Sequence, residues 1–158
     1  MRQQRKAARV AVIDPDSAIF LFRYSDAEAG RHWVMPGGGL EGTESFLDAA
    51  IRELAEETGW IDLEPTSLLW TWETNFTQFG VPTTQREYIF LAHGPRRDPV
   101  GDLAAAHAAD EILEWRWWSL AELAVTTEAI WPPQLADLLL ALRADGPPPH
   151  PIDLGQVS

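Results

Sequence analysis

Apolar and polar positions along the chain change period several times, and each change marks an element. Arg9 to Asp14 and Ala18 to Tyr24 are short apolar runs separated by Asp14-Pro15-Asp16-Ser17, a pattern that predicts a β-hairpin. A Gly-rich loop follows from Met35 to Gly42. From Glu44 to Thr58 the period becomes helical, with Phe46, Leu47, Ala50, Ile51 and Leu54 as the expected buried stripe. Thr43 is the expected N-cap, Glu44 sits at the positive helix start, and Gly59 suits a left-handed end. Beyond it, Leu68 to Phe76 alternates, with Trp70, Trp72, Thr74 and Phe76 on one side. Gly80-Val81-Pro82 connects it to a second strand, Thr84 to His93, on which Tyr88 and Phe90 share a face expected to be core. A third strand, Ile112 to Trp118, leads into Ser119-Leu120-Ala121-Glu122, which has the capping-box pattern of a short helix.

Asp102 to Asp110 is Ala-rich and reads as a mobile loop near the active site. Pro132-Pro133 opens a last helix through Asp145, with Leu135, Leu138, Leu139 and Leu142 facing the core. Gly146 and three prolines stop it, so residues 147–158 read as a flexible C-terminal tail. The order strands, helix, strands, helix predicts an α/β fold, a mixed sheet covered by helices, in a single domain over 1–146.

Composition narrows the chemistry. The 158 residues contain no cysteine, which excludes disulfides, thiol catalysis and Cys-based zinc sites. No apolar run approaches the ~20 residues needed to cross a bilayer as a helix, and none follows the basic start Met1 to Lys6. A membrane partner is not expected, and a cytoplasmic location is. The formal net charge is −12, from 24 acidic and 12 basic residues. Such a surface repels polyphosphate backbones, so long nucleic acid is not the expected partner. A small phosphate compound could approach once cations neutralised the site.

One stretch concentrates the acidity. After Gly38 come five residues, Glu44, seven more residues, and then Arg52-Glu53-Leu54-Ala55-Glu56-Glu57-Thr58-Gly59-Trp60. On a helix, Glu53, Glu56 and Glu57 share one face, opposite the expected apolar stripe. Like charges at this spacing weaken a helix by a few tenths of a kcal/mol per pair, about 0.2–0.5. A divalent cation relieves that repulsion and gains oxygen ligands. Mg²⁺, with Mn²⁺ as substitute, suits carboxylate, carbonyl and phosphate oxygens and can activate a water beside a pyrophosphate. Arg52 can reach Asp48 or Glu56 at helical spacing and orient a carboxylate. A solvated acidic helix face is the usual fate of three glutamates. Seven fixed positions, each with a residue type of ~7% abundance, make a chance match of the whole pattern about one in 10⁸.

Residues 38–60 resemble a complete Nudix box, the signature of the MutT-like hydrolases. The resemblance extends to Trp33-Val34-Met35-Pro36-Gly37-Gly38-Gly39 upstream and to Glu111-Ile112, Trp117-Trp118-Ser119-Leu120 and Glu122-Leu123 downstream. Trp60 departs from the pattern, which has an aliphatic residue there, and the departure bears on packing. The resemblance implies a Nudix-type α/β/α sandwich with a mixed β-sheet. It implies Glu53, Glu56 and Glu57 as metal ligands, the carbonyl of Gly37 or Gly38 as a backbone ligand, and Arg52 as the residue that positions the glutamates. Glu44 matches a structural position at the helix start. Glu53 or Glu57 would be the general base. A carboxylate outside the box is also expected; Glu111 is the first choice, with Glu87 and Asp110 as alternatives.

The implied activity is Mg²⁺-dependent hydrolysis of a pyrophosphate bond in a nucleoside diphosphate linked to another moiety. Nucleoside triphosphates, nucleotide sugars and dinucleoside polyphosphates all fit. The alternative is a non-catalytic Nudix-like nucleotide sensor; such modules usually lose box glutamates, and all are present here. An acidic protein-interaction domain leaves the box unexplained. No coenzyme A motif precedes Pro36, no NADH-type proline motif follows the box, and the proline of ADP-ribose enzymes is absent from Glu73-Thr74-Asn75-Phe76. Family members are often dimers, so a homodimer is the corresponding expectation. Trp70, Trp72, Trp115, Trp117 and Trp118 lie on predicted strands and read as core, as His32, His93, His107 and His150 read as structural or solvated.

Overall fold

Asp14 makes the first turn. Its Oδ1 accepts from the backbone N–H of Asp16 at 2.9 Å and of Ala18 at 2.8 Å, while Oδ2 holds Arg96 at 3.0 Å. The turn joins β1 (Gln3–Ile13) to β2 (Ile19–Asp26), but these strands pair only at Ile13 opposite Ile19. The expected hairpin therefore opens at once. Both strands bury side chains on both faces, so each is an interior strand with a neighbour on either side. β1 lies beside β6 (Val81–His93) in parallel and beside β4 (Gly37–Gly39) in antiparallel sense. β2 lies antiparallel to β3 (Gly30–Val34) and β7 (Ile112–Trp118). The computed structural model describes residues 2–26, 30–109 and 111–157.

Two further strands extend the mixed sheet. β5 (Leu68–Gln78) forms a hairpin with β6 through Phe79-Gly80, so Val81 and Pro82 begin β6 instead of lying in the loop. β8 (Ile130–Trp131) adds to β3. Helix α1 (Phe46–Thr58) covers one face, and α3 (Leu120–Val125) with α4 (Leu135–Asp145) covers the other. Alternation on β1 shows the division: Ala8, Val10 and Val12 pack on the α1 side, Ala11 and Ile13 on the α3–α4 side. The result is the expected α/β/α arrangement. On the α3–α4 side, Leu135 and Leu139 are buried, and Leu138 and Leu142 are partly so.

Trp60 fills the α1 side, edge-on to Phe20 at 4.7 Å between ring centroids and 5.9 Å from Trp117. Packing is thus where its departure from the box pattern is felt. Trp70, Trp72, Trp117 and Trp118 are buried, and Phe90 is buried while Tyr88 stacks on Phe46 at 3.8 Å. His32 stacks between Tyr24 and Trp131.

Three local expectations change. The stretch read as a mobile loop contains α2 (Ala104–Ala109), whose alanines favour helix; Asp110 lies outside the described residues. Within the expected tail, Ile152–Val157 forms β9, parallel to β5 with an irregular register. Pairing satisfies edge N–H and C=O groups of β5 that a hydropathy pattern does not reveal. The N-cap of α1 is Ser45, whose hydroxyl accepts from Asp48 N–H at 3.0 Å; Thr43 lies two residues earlier. Gly59 does end the helix, at φ 74°, and a Cβ there would collide with the Val100 carbonyl.

The capping assignment is testable. Ser45→Ala is expected to cost about 1 kcal/mol, and Thr43→Ala less than about 0.5 kcal/mol, in urea denaturation. Equal losses would return the cap to Thr43.

Candidate functional site

Helix α1 does not present its carboxylates to solvent as a set. Ala50, Glu53, Leu54 and Glu57 are all buried, and they stand at i, i+3, i+4 and i+7. Two glutamates therefore belong to the inward stripe. Leu47 and Ile51, expected to be buried, are 40% and 44% exposed. The reason is the surface α1 packs against. The glycine strand β4 and the alanines of β1 lack bulk, so the helix approaches closely and is rotated to place Glu53 and Glu57 over them.

The fit is tight. A Cβ on Gly38 would lie 2.6 Å from Glu53 Oε1, and one on Gly37 would collide with the Ala8 carbonyl. Glu57 Oε1 accepts from the Gly37 N–H at 2.9 Å. At the next turn, the Nε2–H of His107 on α2 donates to the Glu57 carbonyl at 2.8 Å, so α2 docks on the end of α1. His107 is thereby structural. Glu56, by contrast, has a side chain 55% exposed at the rim.

Arg52 compensates the charge. Its Nε and Nη2 hold the two oxygens of Glu44 at 2.7 and 2.9 Å. Nη1 donates to Glu53 at 3.0 Å and to Glu56 at 3.3 Å, and Nη2 also donates to the Gly39 carbonyl at 3.0 Å. One guanidinium thus ties the helix, the loop before it and the glycine strand together. Its hydrogen bonds pull the Glu44 carboxyl down to about 2, helped by the Glu41 N–H, and Glu44 in turn raises Arg52. Since its folded pKa is depressed, Glu44 favours the fold above the unfolded carboxylate range and loses that contribution as pH falls toward 2. Asp48, the other partner considered for Arg52, instead lies in the first turn of α1 beside the Ser45 cap.

The donor set suits a divalent cation. Glu53, Glu56, Glu57 and the Gly37–Gly38 backbone can offer oxygen ligands, and the missing Gly38 Cβ lets the Glu53 carboxylate come close to the strand backbone. Among the described residues, no three acidic or imidazole side chains are gathered into a ready cage. Glu111 stands just before β7 at φ 60°, with its carbonyl accepting from Ser25 N–H at 3.2 Å. Glu87 is not a spare ligand. It is buried with Oε1 bound to Arg9 and Trp72 and Oε2 bound to Gln85. Burial alone would raise its carboxyl, but the Arg9 guanidinium together with the hydrogen bonds from Trp72 and Gln85 outweighs it, and the net shift is downward. Arg9 and Gln85 were not singled out from sequence. Their signal is polarity at inward positions of strands buried on both faces.

Known proteins resemble this chain in sequence and in fold. The family model described as the NUDIX domain matches residues 3–139. The chain is similar to an RNA pyrophosphohydrolase of Erythrobacter litoralis, 30% identical over 129 residues, covering 75% of this chain and 78% of that protein. It is also similar to an 8-oxo-dGDP phosphatase of Danio rerio, 32% identical over 108 residues, covering 68% of this chain but 30% of the relative. In structure it matches the MutT protein of Methanosarcina mazei with a TM-score of 0.66 at 18% identity, covering 91% of this chain and 96% of that one. Among the described residues no helix is long and apolar enough to cross a membrane. With the family model spanning most of the chain and the box lying at the seam of α1 and β4, the chain belongs to the Nudix hydrolases.

Proposed function

We propose that the chain hydrolyses the pyrophosphate bond of a nucleoside diphosphate linked to another moiety, with Mg²⁺ held by Glu53, Glu56, Glu57 and the Gly37–Gly38 backbone. The observation that carries this reading is the close placement of Glu53 and Glu57 against a glycine strand, where no Gly38 Cβ holds the Glu53 carboxylate off and the Gly37 N–H bonds Glu57. A bound divalent ion would polarise a phosphoryl oxygen and lower the pKa of a water. Glu53 or Glu57 would accept the proton of the attacking water. Arg52 fixes the orientation of Glu53 through the 3.0 Å bond and keeps the helix start close to β4. Net charge −12 makes cation assistance necessary before a diphosphate can approach.

Nucleoside triphosphates, nucleotide sugars and dinucleoside polyphosphates are the substrate classes this reading covers. The relatives named RNA pyrophosphohydrolase favour a second reading, in which the diphosphate belongs to the 5′ end of an RNA. That narrows the earlier exclusion of nucleic acid to recognition along a phosphate backbone, which the acidic surface still disfavours. A phosphate-release screen over these small classes and 5′-triphosphorylated RNA, with Mg²⁺, separates the readings. Activity is expected to vanish in excess EDTA and return with Mg²⁺ or Mn²⁺; full turnover in EDTA would sink the proposal.

Two substitutions test the ion site. Glu57→Gln keeps an oxygen to accept from Gly37 and removes a ligand charge, so the fold is expected to persist while turnover falls by roughly 100-fold. Gly38→Ala places a methyl against the Glu53 carboxylate and is expected to weaken Mn²⁺ binding by roughly tenfold or more. Wild-type values for both would show that the seam holds no ion.

Glu111 is proposed as the carboxylate outside the box, because α2 docks on α1 immediately before it. Glu111→Gln is expected to lower turnover about tenfold, roughly 1.4 kcal/mol of barrier. Glu114, bonded to Arg23 at 3.1 Å, is the control, and Glu114→Gln should change turnover less than about twofold. Equal effects would remove the assignment.

A further inference from the structure

Beneath the glycine strand runs a buried chain of polar side chains that the hydrolytic proposal leaves without a task. Arg5 bonds the side-chain oxygen of Gln85. The Gln85 amide donates to Glu87 Oε2 at 2.7 Å, and Arg9 Nε donates to Glu87 Oε1 at 2.7 Å. Trp72 Nε1–H adds a bond to the same Oε1 at 2.9 Å. The Arg9 and Glu87 side chains are 13% and 3% exposed. Two charges in such a place cost several kcal/mol per ion in desolvation, and hydrophobic replacements would usually serve stability as well or better. The pair is therefore weak evidence for stability and calls for another role.

Its other end points at the loop. Arg9 Nη1 donates to the Met35 carbonyl at 2.9 Å. The next carbonyl, Pro36, accepts from Val10 N–H at 2.9 Å, and the next amide, Gly37, donates to Glu57 at 2.9 Å. A Cβ on Gly37 would lie 2.6 Å from Arg9 Cγ, so the stem of Arg9 is the surface on which Gly37 rests. Gly39 likewise leans on the Arg5 guanidinium. Three consecutive residues are thus held from two sides: β1 and its ion pair below, Glu57 above.

We infer that Arg9 and Glu87 are positioning residues, an ion pair that fixes the Met35–Gly37 backbone so that the Gly37–Gly38 peptide meets Glu53 and Glu57 in one geometry. Glu87 orients the guanidinium by its bond to Nε, and Nη1 is thereby aimed at the Met35 carbonyl. The role rests on the proposed ion site for its consequence in catalysis, but the hold on the loop exists without substrate.

The test uses two variants of the full chain. Arg9→Lys keeps the charge opposite Glu87 but cannot also reach the Met35 carbonyl as a fork. Arg9→Met combined with Glu87→Gln removes both charges together, leaves no uncompensated ion, and retains an acceptor for Trp72. In metal-free protein, amide exchange of Gly37 is expected to be roughly tenfold faster in both variants, with the β5–β6 amides unchanged. Mn²⁺ affinity, titrated without nucleotide, should fall roughly 10-fold or more, and kcat should fall similarly with KM changed less than about threefold. Wild-type exchange at Gly37 together with wild-type Mn²⁺ affinity overturns the inference. So does exchange that accelerates equally throughout the sheet, because that reports general loosening. A wild-type protein inactive on every diphosphate, with these exchange and affinity changes intact in the variants, would sink the proposed reaction while supporting the positioning role.

Discussion

Two carboxylates are directed into the seam between a helix and a strand of three glycines, and most of the local architecture answers that placement. Burying a carboxylate without compensation costs several kcal/mol. Glu57 is compensated by a backbone amide and Glu53 by the Arg52 guanidinium. The amide is available because Gly37 begins a strand whose side facing α1 is bare. The guanidinium is available because Glu44 anchors its far edge before the helix begins. Removing bulk from β4 and charge from the seam are thus two parts of one solution. Neither the glycines nor the arginine would be required if the stripe were wholly apolar.

The same constraint explains the shape of the sheet. β1 must stand beside β4 to support the glycines and beside β6 to bring Glu87 under Arg9. It has no room left for a full pairing with β2, so the two strands part after the Asp14 turn. The sheet divides into two wings that meet at that turn, and each helical layer covers one face of both.

Much of this was legible in the amino-acid order. The strand from Leu68 declares itself by alternation, those read at Thr84 and Ile112 are present, and the Ser119 capping box forms as its spacing predicts, with both reciprocal bonds present. Spacing also assembled the box residues on one helix. What it misjudged was direction. Leu47 and Ile51 look like core on a hydropathy scale, yet a helix seated on glycines can turn charged residues inward when partners wait for them. Cap choice failed for a related reason: Thr43 suits a cap by residue type, but the hydroxyl that meets an α1 amide is that of Ser45, and Arg52 holds Glu44 before the helix. Long-range partners such as Arg9 and Glu87 are 78 residues apart, and no local period connects them.

β9 carries a consequence for how molecules meet one another. β5 is eleven residues long and rich in aromatic and β-branched side chains, and its outer side would be an open invitation to a strand from another molecule. Ile152–Val157 occupies much of that side, pairing from Trp70 to Thr74. The covering strand is itself a poor template: its register slips between Thr71 and Glu73, and Gly155 takes φ 85° in the middle of it. A short, kinked strand thus closes a long one. In a crowded solution, that arrangement keeps edge-to-edge stacking from becoming a route to aggregates.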